Sequence, residues 1–265
     1  MIDNLPIKAG SIITVVGAGG KTSTIRYLAN KLNFDSIIIT TTTHFLSFNS
    51  FAHKEIIIDD YQKLMKRADA ALKNHKRVVL GRYKMPTPPE MSKKRINGLP
   101  PGWVDELSRK NPHSVILVEG DGSARLPIKA PASHEPVVPE NTDLLLPVLG
   151  MKALDKKMNS TNCHRLQELK KLKSDKGSPM YIDDELIVSI LTDRRSYGSY
   201  IPEVSEYIPL LNQVEEYNLE RVKLTADKLI KSGLKKVILM DTHRREPLRY
   251  IKRRKTNDSK QESTC

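Results

Sequence analysis

Apolar residues fall along this chain in short β-branched or leucine-rich runs separated by amphipathic stretches. That alternation builds a parallel sheet covered by helices. Ile12 to Val16, Ile37 to Thr41, Glu55 to Asp59, Arg77 to Gly81, Ser114 to Glu119, Asp143 to Gly150, Ile208 to Glu215 and Lys236 to Met240 read as strands. After the first strand, Ile25, Leu28, Ala29 and Leu32 recur at i, i+3, i+4 and i+7, one face of a helix. Further helices are expected around Leu64 to Leu72, from Trp103 through Leu107, over Asp183 to Leu191 and over Val222 to Ile230. The expected fold class is α/β, a mainly parallel sheet with helices on both faces. It forms one domain over residues 1–248, divisible near residue 150.

Proline and charge interrupt this pattern at defined places. Pro147 inside the Asp143–Gly150 run suggests an edge strand or a strand end. Residues 82–102 carry Pro86, Pro88, Pro89, Pro100 and Pro101 and read as a long exposed loop. Arg125 to Pro139 is too proline-rich for a helix or a central strand. Lys170 to Gly177 reads as a polar, lysine-rich segment, and residues 249–265 as a basic disordered tail.

With 265 residues there is enough chain for a sizeable core, and at 5% aromatic residues that core is expected to be aliphatic. No apolar run approaches the roughly 18 residues of a membrane span, and the N-terminus lacks the form of a signal peptide. Cys163 and Cys265 have no spacing motif and suggest a reducing compartment, with neither a disulfide framework nor a zinc site. The net charge is +13, but Arg244 to Lys260 holds eight Lys/Arg against two Asp/Glu, a net +6. Basic residues are not interleaved with aromatics as in single-strand binders, so nucleic acid is the weaker of the expected partners.

The candidate chemistry starts where the first strand meets the first helix, at Gly17-Ala18-Gly19-Gly20-Lys21-Thr22-Ser23. Strand, glycine turn, Lys-Thr and helix is the order that holds a polyphosphate. Glycines admit phosphate close to backbone N–H groups, and the helix presents unpaired N–H groups with a positive dipole end. Lys21 would reach the β- and γ-phosphates, and the Thr22 hydroxyl would be a Mg²⁺ ligand. The spacing is shorter than G-x-x-x-x-G-K-[ST], because Val15 stands where the first glycine belongs. An ordinary glycine turn with an incidental lysine is the structural alternative.

Other strand ends add candidates. Thr42, Thr43 and His44 follow the second strand, where hydroxyls and imidazole can face phosphate or acceptor; threonine also simply favours strands. Glu119 and Asp121 follow four apolar residues, the form of a strand ending at a nucleotide–Mg²⁺ site, although acids also cap strand-to-turn junctions. Arg125, Lys129, His134 and Glu135 lie on the proline-stiffened loop that follows and carry types suited to anion contact and proton transfer. Asn212-Gln213-Val214-Glu215 resembles a degraded N-K-x-D base-recognition motif, in which Glu215 could accept from guanine.

Taken together, Val16 to Ser23, Thr40 to His44, Leu117 to Ser123, Leu126 to Pro136, Gly150 to Leu154 and Asn162-Cys163-His164-Arg165 resemble the selenium-dependent molybdenum-hydroxylase accessory family, called YqeC-like. Gly120 stands where that family usually has alanine. The resemblance implies a cytoplasmic P-loop NTPase-like protein acting in selenium-cofactor biosynthesis, with ATP or GTP and Mg²⁺ as ligands. A molybdenum hydroxylase or its maturation proteins would be the partner. The expected catalytic groups are Lys21, Glu119, Asp121, His134 and Glu135. Thr22, Glu119 and Asp121 are expected at the metal, and residues 17–23, Thr43, His44 and Glu215 at the nucleotide. A non-catalytic nucleotide-binding chaperone is the alternative.

Overall fold

The computed structural model describes residues 2–46, 54–85, 95–173, 177, 179–201, 203–244 and 246–254. In chain order the elements are β1 (Ile12–Gly17), α1 (Lys21–Lys31), β2 (Ser36–Thr41), β3 (His44–Leu46), β4 (Lys54–Ile57), α2 (Tyr61–Leu72) and β5 (Arg77–Met85). Then come β6 (Arg95–Asn97), α3 (Pro101–Lys110), β7 (Ser114–Glu119), β8 (Ile128–Lys129), β9 (Leu144–Gly150), β10 (Cys163–His164) and α4 (Leu166–Leu172). The chain continues with α5 (Asp184–Thr192), β11 (Glu206–Tyr207), β12 (Leu210–Asn212), α6 (Leu219–Lys231), β13 (Lys236–Met240) and β14 (Leu248–Arg253).

The main sheet runs β14-β13-β12-β9-β1-β7-β2-β5-β6-β3, with β11 beside β9 and β4 beside β5. Its centre is parallel; antiparallel pairs occur at the two ends, β13 with β14 and β6 with both β5 and β3. β1 is buried along its whole length, as a central parallel strand covered on both faces must be. The alternation of its side chains divides the core. Ile13 and Val15 pack with Ile25, Leu28 and Ala29 of α1 on one face. On the other, Ile12 joins Leu64 of α2 and Val104 and Leu107 of α3, while Val16 joins the α4–α6 layer. Each fully buried Ile or Leu contributes roughly 1.5–3 kcal/mol.

Helix boundaries follow local chemistry. α2 opens on Asp60, whose side chain accepts the Lys63 N–H, and α5 opens on Asp183, which accepts from Leu186. α3 begins at Pro101, two residues before Trp103, because proline at the first helical position lacks only an N–H that would be orphaned there.

Four expectations are corrected. Pro147 lies in β9 at the middle of the sheet, not at an edge. It is tolerated because β9 pairs with β11 at Leu144 and Leu145 and with β12 from Val148 onward. Pro147 falls in the gap between the two, so its missing N–H deletes no ladder bond there. The expected loop over residues 82–102 is partly ordered by β5 and β6; its proline-rich middle, 86–94, lies outside the described residues. The lysine-rich segment from Lys170 overlaps α4, which buries Leu169 and Leu172. Finally, the chain does not leave the sheet at Leu248: β14 continues to Arg253, antiparallel to β13.

The chain moves from β1 outward to β2 and β5 in one direction, and from β9 to β12 and β13 in the other. The carboxyl ends of β1, β7, β9, β12 and β13 therefore flank the point where strand order reverses, the place where open α/β sheets form ligand crevices.

Candidate functional site

The glycine loop leaves β1 at that crevice. Gly17, Gly19 and Gly20 have φ of 94°, 75° and 137°, values that L side chains avoid. Close approach imposes the same choice. A Cβ on Gly17 would run into the Val148 carbonyl, and one on Gly20 into the Asn212 side-chain amide. The loop is thus fitted to its neighbours as well as shaped for a ligand. Gly17 N–H donates to Asp121, Ala18 N–H to Val148 O at 2.7 Å and Gly19 N–H to Leu126 O at 3.1 Å.

α1 starts immediately after, with no side-chain cap. Its first turn, Lys21, Thr22 and Ser23, presents N–H groups that have no intrahelical acceptor. The Lys21 side chain is buried and folds back, donating to Gly17 O at 2.8 Å. Its ammonium lies 3.4 Å from Asp121 Oδ1 and 3.8 Å from Glu119 Oε1. The Thr22 hydroxyl donates to Glu119 Oε2 at 3.0 Å. Burial pushes the Glu119 carboxyl above its usual range, against the opposing pull of Lys21 and Thr22.

β7 ends at Glu119, and Gly120 turns the chain before Asp121, so the two acids take different surroundings. Asp121 is fully buried. Its Oδ1 accepts from Gly17 and faces Lys21; its Oδ2 accepts from Lys129 at 2.9 Å and from the Tyr197 hydroxyl at 2.7 Å. Asp121 thus takes hydrogen bonds from three donors, Gly17 N–H, Lys129 and the Tyr197 hydroxyl, and an ion pair from Lys21. Lys129, also fully buried, directs its three donors to Asp121, to Gly122 O at 2.5 Å and to Glu135 Oε2 at 2.5 Å. Arg165 closes the chain of contacts, 3.0 Å from Glu135 and 3.3 Å from the exposed His134 ring. Three cations, Lys21, Lys129 and Arg165, thus balance three carboxylates, Glu119, Asp121 and Glu135.

The remaining candidates take varied places. Thr43 lies beside the β7 end: its N–H donates to the Thr41 hydroxyl, which itself donates to Glu119 O at 2.7 Å. His44 begins β3, opposite Asn97 of β6. Glu215 forms a reciprocal capping pair with Asn218 at a 3-10 turn, Glu216–Asn218, and an ion pair with Lys152. Among the described residues His134 meets the buried cluster through Arg165, and Lys129 and Asp121 lie between it and Lys21.

Tyr197, Asn212, Thr242 and the cluster role of Arg165 escaped the sequence reading. Tyr197 is fully buried on the 3-10 turn Tyr197–Tyr200, its hydroxyl held protonated well above the ordinary range by burial and Asp121. Asn212, at the end of β12, donates to Gly19 O at 2.7 Å. A lone tyrosine or asparagine carries no spacing signal. The degraded N-K-x-D pattern that contains Asn212 pointed to a base, through Glu215, and not to the loop.

Among the described residues no cluster of three or more His, Cys, Asp or Glu forms a metal cage. Mg²⁺ held together with phosphates needs only one or two protein ligands, and the Thr22 hydroxyl beside the Glu119 carboxylate fits that need. No helix among the described residues is long and apolar enough to cross a membrane.

A sequence model described as "YqeC protein" matches residues 13–167, more than half of the chain. An uncharacterized protein YqeC of Escherichia coli (strain K12) is 32% identical over 160 residues, covering 60% of this chain and 59% of that relative. The chain therefore spans less than two thirds of the curated relative's length. No solved structure matches.

Proposed function

The chain belongs to the YqeC protein family, and from that footing and the loop geometry we propose that it binds a nucleoside triphosphate with Mg²⁺. In this reading it acts in the cytoplasm as an NTPase or NTP-dependent enzyme. The observation that carries the reading is the uncapped first turn of α1, with Lys21 buried beneath it and the Thr22 hydroxyl on Glu119. First-turn N–H groups and a buried ammonium recognise phosphate oxygens through charge-assisted bonds. The site is charge-balanced without a ligand, so an incoming polyphosphate draws Lys21 away from the two acids. Glu119 is then the carboxylate left to hold Mg²⁺ with Thr22. Asp121 stays committed to Gly17, Lys129 and Tyr197 and serves to fix the loop. Mg²⁺, when bound, neutralises charge developing on the phosphates. ATP and GTP both remain within the reading.

The wider role, maturation of selenium-dependent molybdenum hydroxylases, follows from the family resemblance of the motifs. A second reading, nucleotide-dependent delivery without turnover, draws on the commitment of Asp121 to Gly17, Lys129 and Tyr197, which leaves Glu119 to serve both metal and water. Calorimetric titration with Mg-ATP and Mg-GTP, alongside Lys21→Ala, tests the proposal. Losing a desolvated charged contact is worth roughly 2–5 kcal/mol, so a micromolar affinity should fall by about 30-fold or more. Equal affinity in wild type and variant overturns the phosphate site. Phosphate release by the wild type separates the enzyme from the carrier.

A further inference from the structure

Residues outside the family match reach into the glycine loop. Asn212 is fully buried, and its two neighbours fix its amide without ambiguity: the Thr242 N–H must donate and the Gly19 carbonyl must accept. Its Oδ1 therefore accepts from Thr242 N at 3.0 Å. Its Nδ2 donates to Gly19 O at 2.7 Å and to the Thr242 hydroxyl at 3.1 Å. In a trans peptide the carbonyl and the following N–H point to opposite sides. Holding the Gly19 carbonyl toward β12 therefore turns the Gly20 N–H away from it. Among the described residues no acceptor meets that N–H, and it immediately precedes the uncapped N–H groups of Lys21, Thr22 and Ser23.

We propose that Asn212, braced by Thr242, is the positioning residue that orients the Gly19–Gly20 peptide so that its N–H joins the phosphate-binding amides. The inference rests on the phosphate reading of the loop and assigns Asn212 to phosphate geometry, not to the base. Without the latch this peptide is free to rotate, because glycine on both sides permits the alternative φ values. A carbonyl would then face the phosphate where an N–H is needed.

The test compares wild type, Asn212→Asp and Thr242→Val with three probes: Mg-ATP, Mg-GTP and Mg-tripolyphosphate, which has no base. Melting temperature reports folding. Asn212→Asp keeps the acceptor for Thr242 N but cannot donate to Gly19 O. It should weaken every probe that binds wild type, tripolyphosphate included, by a common factor of about tenfold. Thr242→Val removes one brace and should weaken the same probes by about threefold, which keeps the test usable if Asn212→Asp fails to fold. A loss confined to the nucleotides overturns the proposal in favour of base recognition. A lowered melting temperature with unchanged affinities overturns it in favour of a purely structural role. If wild type binds none of the probes, the phosphate reading itself falls and this inference with it.

Discussion

At the residue scale, Glu119 and Asp121 show how two carboxylates two positions apart come to differ. Asp121 takes hydrogen bonds from Gly17, Lys129 and Tyr197 and an ion pair from Lys21, whereas Glu119 keeps one hydroxyl and a more distant lysine. Burial raises the Glu119 pKa above its usual 4.5, so the folded state holds that proton more tightly than the unfolded chain. Its contribution to stability is therefore full below 4.5 and is lost as pH rises through the folded value. Ionisation of Glu119 as pH rises therefore costs stability. Glu119→Gln cannot ionise, so its melting temperature should gain on wild type as pH rises through the folded Glu119 value, with no gain below 4.5. The same variant should lose the Mg²⁺ dependence of nucleotide affinity. A lower melting temperature at pH 7 would show that Lys21 and Thr22 outweigh burial.

At the element scale, the parts that the sequence made legible are those with a helical period or a continuous apolar run. Ile12 to Val16 and Ser114 to Glu119 appear as strands because buried parallel strands are continuous apolar runs. α1 appears because four apolar residues share its face. The lysine-rich signal at α4 hid a short helix that buries only two leucines, and Pro147 pointed to an edge because its compensation lies in β11 and β12, more than fifty residues away. The candidate site divides the same way. Lys21, Thr22, Glu119 and Asp121 stand on contiguous motifs and do meet, whereas Tyr197 arrives from a turn that no motif marks. That turn docks the α4–α5 region on the loop through Tyr197 to Asp121 and Tyr200 to Pro136 O. Tyr197→Phe keeps the buried ring and deletes a hydrogen bond to a charged acceptor, worth about 1.5–3 kcal/mol. Tyr200→Phe deletes a neutral one worth about 1 kcal/mol. Denaturant unfolding should rank them in that order; equal values would mean that Lys129 and Gly17 satisfy Asp121 without Tyr197.

At the scale of the whole molecule, the question is where the folded unit ends. Composition set the boundary at Leu248, because the residues beyond are basic and polar. The strand is nevertheless there: Leu248–Arg253 pairs with Lys236–Met240, and Leu248 and Ile251 pack on the core shared with α1. Tyr250 packs on the opposite core, and the charges are used as well, Arg249 with Glu216, Lys252 with Asp227 of α6, and Arg253 with Asn4. A basic edge strand is how sheets discourage further pairing, so its charge misleads a reading by composition alone. The consequence separates two truncations. Removing residues 255–265 should leave nucleotide affinity and stability within about 0.5 kcal/mol of wild type, the range usual for changes that touch none of the β14 contacts named above. Removing residues 248–265 uncovers the β13 edge and strips apolar cover from both faces. It should lower the melting temperature by about 5 °C or more, given roughly 2–4 °C per kcal/mol for a chain of this size. Asn212 ends β12 and Thr242 lies two residues beyond β13, so the longer deletion should also weaken nucleotide binding. Melting curves and titrations on the two truncations decide the matter, and equal melting temperatures would return the boundary to Leu248.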